Sequence, residues 1–195
     1  MELFPAFIKL AGRRVVVIGG GPVAASKLRA LLDSGADITV VAPEIVAEIK
    51  SSSSVTIVER DFQLSDLDGV WLVVAAATPD VNRSVAEAAE TRQIFVNAVD
   101  DPPNASVYLG GVVRRAGVTF AISTDGRAPA LAGLLREALN SMLPTHDLEQ
   151  WMAEAVQLRQ HWRKDTVPMQ NRRPELLESL IRLYKTPENK AATNH

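Results

Sequence analysis

Three stretches of this chain carry residue types and spacings able to do chemistry. The first is Val15-Val16-Val17-Ile18-Gly19-Gly20-Gly21-Pro22-Val23-Ala24. Its β-branched run predicts a buried strand, its glycines a turn, and Val23 to Leu32 a helix. Gly19, Gly21 and Ala24 match the G-x-G-x-x-G/A spacing. In that pattern the first glycine permits a tight turn, and the second lets a pyrophosphate approach the backbone. The small third residue lets the helix pack on the strand, so that free N–H groups at the helix start meet the anion. A glycine-rich turn without a ligand is the alternative. The second stretch is Asp100-Asp101, after an apolar run. Either carboxylate could be a general acid or base, partly desolvated beside a flat apolar ligand. Alternatively, Asp100-Asp101-Pro102-Pro103-Asn104 is only a turn. The third is Val41-Ala42-Pro43-Glu44, where an acid just past a strand could hold an adenine ribose; Glu44 could equally begin a short helix. No arginine stands there to favour a 2′-phosphate, which points to NAD rather than NADP.

The remaining polar residues say less. His146, His161 and His195 are scattered without metal-ligand spacing, so no metal is expected. Arg159, His161, Arg163, Lys164, Arg172 and Arg173 could face a polyanionic substrate or form a solvated helix face. Arg114, Arg115 and Arg127 pose the same choice. RNA binding is disfavoured because stacking aromatics are sparse.

These residues need elements to position them. Ile38–Val41, Val55–Val58, Trp71–Ala77 and Ile94–Val99 read as further strands. A helix opens at Pro79, with Thr78 as its N-cap. Alternating strands and helices predict an α/β, Rossmann-like, doubly wound parallel sheet. Such sheets bind ligands beyond the carboxyl ends of their strands, here Gly19–Val23, Ala42–Glu44, Ala76–Pro79 and Asn97–Asp101. The rhythm then changes. Val107–Leu109, Gly111–Arg115 and Val118–Ser123 read as short strands, with a hairpin turn at Arg115-Ala116-Gly117. A lone hairpin is marginal, so this small β element is expected to pair with a second copy. A helix over Pro129 to Met142 follows, then helices over Leu148–Arg163 and Pro174–Tyr184 and a frayed polar tail from Thr186. The expected organisation is a dinucleotide-binding domain at 1–112, a dimerisation region at 113–145 and a helical domain at 146–195.

Bulk properties narrow the classes. The 195 residues carry a net charge of −2, which argues against a general nucleic-acid binder. The absence of cysteine excludes disulfides and thiolate chemistry, and fits the cytoplasm. No apolar run approaches the ~20 residues that span a bilayer. Met1-Glu2-Leu3-Phe4-Pro5 does not read as a signal peptide.

Together these segments resemble the precorrin-2 dehydrogenases, a family that includes the N-terminal module of bacterial siroheme synthase and the yeast dehydrogenase/ferrochelatase. The matching parts are Leu3-Phe4-Pro5-Ala6-Phe7, the glycine loop with Lys27, Phe95-Val96-Asn97-Ala98-Val99-Asp100, and Ala121 to Ala132 continued by Leu134-Leu135-Arg136-Glu137. The resemblance implies NAD-dependent oxidation of precorrin-2 to sirohydrochlorin by a cytoplasmic homodimer, on the route to siroheme. It implies Asp100 as the acid/base. It implies NAD contacts at Gly21, Pro22, Val23, Pro43 and Glu44, with Thr78, Asn97 and Val99, to which the glycine spacing adds Gly19. The eight substrate carboxylates give Arg114 and Arg127, with Ser123 and Thr124, a reason to be substrate contacts. Thr124 and Ser123 stand where some members carry a phosphorylatable serine, but Asp125 replaces a glycine there. The expectation is a stand-alone dehydrogenase without a methyltransferase module, leaving iron insertion to a separate chelatase. A bifunctional dehydrogenase/ferrochelatase and a non-enzymatic NAD-sensing dimer are the alternatives.

Overall fold

The computed structural model describes residues 3–185; the tail expected to fray, 186–195, lies outside the described residues. The chain divides into two compact units. One holds the described residues up to Leu109 together with Asp125–Arg127, the other Gly110–Thr124 and the residues from Ala128 onward.

The first unit runs β1 (Arg14–Ile18), α1 (Pro22–Leu32), β2 (Asp37–Val41), α2 (Ala47–Lys50), β3 (Val55–Val58), β4 (Leu72–Ala75), α3 (Pro79–Glu90) and β5 (Phe95–Ala98). Short 3₁₀ turns lie at Leu64–Leu67 and Pro102–Asn104. All strand pairs are parallel, in the order β3-β2-β1-β4-β5. The β-branched run of β1 is central and buried on both faces because helices cover both. Val15, Val17, Val40 and Val74 share one core with Ala24, Leu28 and Leu31 of α1 and Ile49 of α2. Val16, Ile18, Val73 and Val96 share the other with Val85, Ala86 and Ala89 of α3. The strand order reverses between β1 and β4, so the loops following them diverge and open a crevice at the carboxyl edge of the sheet.

β4 and β5 are shorter than the apolar runs that predict them. Ala76 N–H still bonds Ile18 O, and Val99 N–H still bonds Ala75 O, before each chain turns away at the crevice. Val107–Leu109, expected as a strand, forms none. Ser106 and Val107 both donate to the single carbonyl of Val96, and Asn97 Nδ2 donates to Val107 O. These bonds gather at Ser106 and Val107, so the segment has no ladder register, while Val107 and Leu109 pack on the core.

In the second unit β6 (Gly111–Arg115) and β7 (Val118–Ile122) form an antiparallel hairpin closed by Ala116-Gly117. α4 (Pro129–Met142) packs on β6, and Arg115 ties the two by donating to Leu143 O at 2.7 Å and Asn140 Oδ1 at 2.9 Å. α5 (Thr145–Lys164) and α6 (Met169–Lys185) form a helical pair. Trp162 Nε1 donates to Glu175 at 2.6 Å, and Ser179 Oγ donates to Glu154. Helix α6 starts well before Pro174, which sequence marks as its first turn. The proline lacks only the N–H that would reach Gln170. Arg172, bonded to Val167 O at 3.0 Å, and the Trp162–Glu175 bond hold the added turn.

Candidate active site at the carboxyl edge of the sheet

The glycine loop is pressed between the loops after β2 and β4. Gly19 has φ +122°, and a Cβ there would stand 2.3 Å from Ala76 O. A Cβ on Gly20 would stand 2.0 Å from Glu44 O, and Val46 N–H bonds Gly20 O at 2.9 Å. Gly21 differs: no heavy atom lies within 4 Å of where its Cβ would be. That open space adjoins the start of α1, with Pro22 in its first turn and no acidic residue there. The N–H groups of Val23 and Ala24 have no acceptor within the helix. A dinucleotide phosphate fits this cradle.

The loop opens onto a cleft of about 430 Å³. Val23 lines one side, Ala76, Ala77 and Arg83 another, and Val99, Asp100 and Asp101 a third. The two aspartates have separate roles. Asp101 begins the Pro102–Asn104 turn, and its carboxylate accepts Asn104 Nδ2 at 2.7 Å. The turn reading therefore holds for Asp101. Asp100 adopts a left-handed backbone, φ +56°, and is exposed. No hydrogen bond or ion pair engages its carboxylate among the described residues. The desolvation expected for it is not supplied by this chain's own packing and falls to whatever fills the cleft.

Pro43 and Glu44 form an exposed bend after β2. Glu44 does not begin a helix: α2 starts at Ala47, and it is Glu48 that pairs with Arg29, at 3.3 Å. Arg60 follows the neighbouring strand β3, but it grips Asp66 through two bonds of 2.6 and 2.8 Å. That hydrogen bonding holds the Asp66 carboxyl below the usual aspartate range, against the opposing effect of burial. Thr78 occupies the N-cap of α3 but makes no side-chain capping bond. Asn82 supplies the tie instead, its Oδ1 accepting Ala77 N–H at 2.8 Å. Asn97 on β5 is 5% exposed; its Nδ2 donates to Val107 O at 2.9 Å, while its buried Oδ1 has no partner. Gly20, Asn82 and Arg83 escaped the sequence reading. Asn82 follows the predicted cap Thr78 by one helical turn and was findable. Arg83 has no local signal, because its place in the cleft depends on β4 pairing with β5.

Other polar residues are committed elsewhere. In the second unit Thr124 Oγ1 accepts Ala128 N–H at 3.2 Å, and Arg114 is exposed. Ser123 belongs to the same unit; Arg127 belongs to the first, with its guanidinium 3.7 Å from Asp125. Arg172 lies over the Trp162 ring and His161 lies 3.0 Å from Asp165, so these two stabilise the α5–α6 connection. Arg159, Arg163, Lys164 and Arg173 are exposed, as on a solvated helix face.

The reversed strand order, the glycine loop and the helix start behind it define a Rossmann-type dinucleotide-binding protein. Residues 6–111 match the family described as "Putative NAD(P)-binding". The chain is 43% identical over 150 residues to "Siroheme synthase 3" of Aeromonas hydrophila subsp. hydrophila, which covers 75% of this chain and 32% of that protein. It is 42% identical over 177 residues to "Siroheme synthase" of Citrobacter koseri, covering 89% and 38%. It thus spans about a third of the length of these relatives. Among solved structures, "SirC, precorrin-2 dehydrogenase" matches with TM-score 0.69 and 26% identity, over 90% of this chain and 88% of that one. The chain belongs to this NAD(P)-binding family, and within it to the precorrin-2 dehydrogenase and siroheme synthase group.

Proposed function

We propose that this protein oxidises precorrin-2 to sirohydrochlorin with NAD as hydride acceptor. One observation carries the proposal: the glycine-loop helix start and the unpartnered Asp100 open onto the same cleft, through Val23 and Val99. When bound, the nicotinamide supplies a two-electron acceptor for hydride. Gly21 and Val23 receive the pyrophosphate on free N–H groups, Pro22, which has none, packs beside it, and Gly19 keeps the turn that presents them. Pro43 and Glu44 hold the adenine ribose. Arg60 is occupied by Asp66 and so is a poor ligand for a 2′-phosphate, which favours NAD over NADP. Thr78 and Asn97 offer a hydroxyl and a buried carbonyl oxygen as further contacts, and Val99 packs against the cofactor. Asp100 takes up the proton that the macrocycle loses as its conjugation extends, balancing the departing hydride. Arg114, Ser123, Thr124 and Arg127 are proposed for the substrate carboxylates.

The same reading makes the protein a cytoplasmic homodimer. Leu131, Leu134 and Leu135 on α4 are 50%, 64% and 43% exposed, an apolar stripe beside a hairpin that is marginal alone. None of the described helices is long and apolar enough to cross a membrane.

The test is an anaerobic assay with precorrin-2 and NAD, following NADH absorbance and the sirohydrochlorin spectrum, with Asp100→Asn alongside. Asparagine tolerates the left-handed backbone that alanine would strain. The expected result is NADH and sirohydrochlorin forming together, with turnover reduced ~100-fold or more in the variant and NAD affinity kept. A loss below tenfold removes Asp100 from the role. NAD binding without any NADH leaves the sensor reading. Adding Fe²⁺ or Co²⁺ to the same reaction decides whether the protein also inserts metal.

A further inference from the structure

We infer that Arg83 is the residue that grips a carboxylate of the macrocycle beside Asp100, an inference that rests on the dehydrogenase reading above. Arg83 lines the cleft that holds Asp100 and Asp101, and it is the one cation among the described residues lining it. Its side chain is 61% exposed, and its ion pair, to Asp80, whose side chain is 95% exposed, is 3.8 Å long. A contact of that length in water holds the guanidinium weakly and leaves it available. Electrostatics favour a cation there. A polycarboxylate that brings its reacting carbon to Asp100 approaches two aspartates, and like charges in a partly dewatered cleft repel. Arg83 offsets that repulsion and can meet a carboxylate with two parallel N–H bonds. The cofactor phosphate already has its own anchor at the start of α1, so Arg83 is not needed for it. Arg83 thus positions the substrate and selects for an acidic one; it is not an acid or base.

The test compares wild type with Arg83→Ala and Arg83→Lys. The position is exposed, so thermal midpoints are expected to stay close to wild type. In Arg83→Ala, KM for precorrin-2 rises ~10-fold or more, the range of a charge-assisted hydrogen bond, and its dependence on salt weakens. NAD affinity measured without substrate stays within about twofold, and Arg83→Lys recovers part of the KM. An unchanged KM overturns the inference. A fall in NAD affinity matching the rise in KM also overturns it and assigns Arg83 to the cofactor phosphate. If wild type itself fails to oxidise precorrin-2, the dehydrogenase reading falls. Arg83 is then judged by absorbance titration with uroporphyrin, a stable octacarboxylate tetrapyrrole. Weaker binding to Arg83→Ala than to wild type sustains the anion grip, and equal binding sinks it.

Discussion

The same substitution at two adjacent glycines should fail in opposite ways. At Gly20 an added methyl would sit 2.0 Å from Glu44 O and 2.9 Å from the Glu44 carbonyl carbon and the Ile45 Cα. These are backbone atoms and cannot rotate aside. Reaching an ordinary contact of ~3.5 Å requires the β2–α2 loop to move by roughly 1.5 Å. It would also disturb the Val46–Gly20 hydrogen bond. Such overpacking costs about 1–3 kcal/mol, a midpoint loss of roughly 3–10 °C for a chain of this size. At Gly21 the methyl meets nothing within 4 Å, and the backbone, at φ −86° and ψ −175°, suits any residue. Gly21→Ala should cost only about 0.5–1 kcal/mol, from exchanging glycine for alanine at a helix N-cap. Its methyl, however, fills the space assigned to the pyrophosphate, so NAD affinity should fall about tenfold or more, at least ~1.4 kcal/mol. Differential scanning fluorimetry with and without NAD, followed by calorimetric titration, separates the two signatures. Wild-type NAD affinity in Gly21→Ala would refute the placement of the phosphate at this backbone. An undiminished midpoint in Gly20→Ala would refute the steric account of the loop.

Three further outcomes are expected. Glu44→Ala should weaken NAD about tenfold and narrow the preference for NAD over NADP; identical affinities for both nucleotides before and after would remove Glu44 from the ribose. Asp66→Asn should lower the thermal midpoint near neutral pH. Because the Arg60 bonds lower the folded-state pKa of Asp66, its contribution is fully present above the unfolded aspartate value and is lost as pH falls through the folded one. The gap between wild type and variant should therefore close in acid, and a gap constant with pH would contradict the linkage. Ala116→Asn should raise stability by about 0.5–1 kcal/mol. Ala116 and Gly117 have φ +50° and +77°, the two-residue turn that asparagine-glycine serves best; a lowered midpoint would show that the alanine is held there by something else.

The sequence alone determined what is local. The β-branched run of β1, the glycines after it and the helix beyond were legible because each follows from short-range sterics and periodicity. α4 was legible over its full length, Pro129–Met142, for the same reason. So were the segments Gly19–Val23, Ala76–Pro79 and Asn97–Asp101 that border the cleft, because strand ends in a parallel sheet collect at one edge. Tertiary structure decided what depends on distant segments. Gly20 owes its constraint to a carbonyl 24 positions along the chain, at Glu44. Asp100 and Asp101 are chemically identical in sequence. They separate only because the Pro102–Asn104 turn engages Asp101, while a left-handed backbone leaves Asp100 on the cleft wall. Val107–Leu109 has strand composition but finds no second strand, since its backbone bonds gather at Val107, to Val96 O and Asn97 Nδ2. Arg83 gains its place only when β4 and β5 pair and bring α3 beside Asp100. Composition and spacing report what a residue can do. The partners that leave it free to do so, or engage it first, come from parallel pairing between segments far apart in the chain.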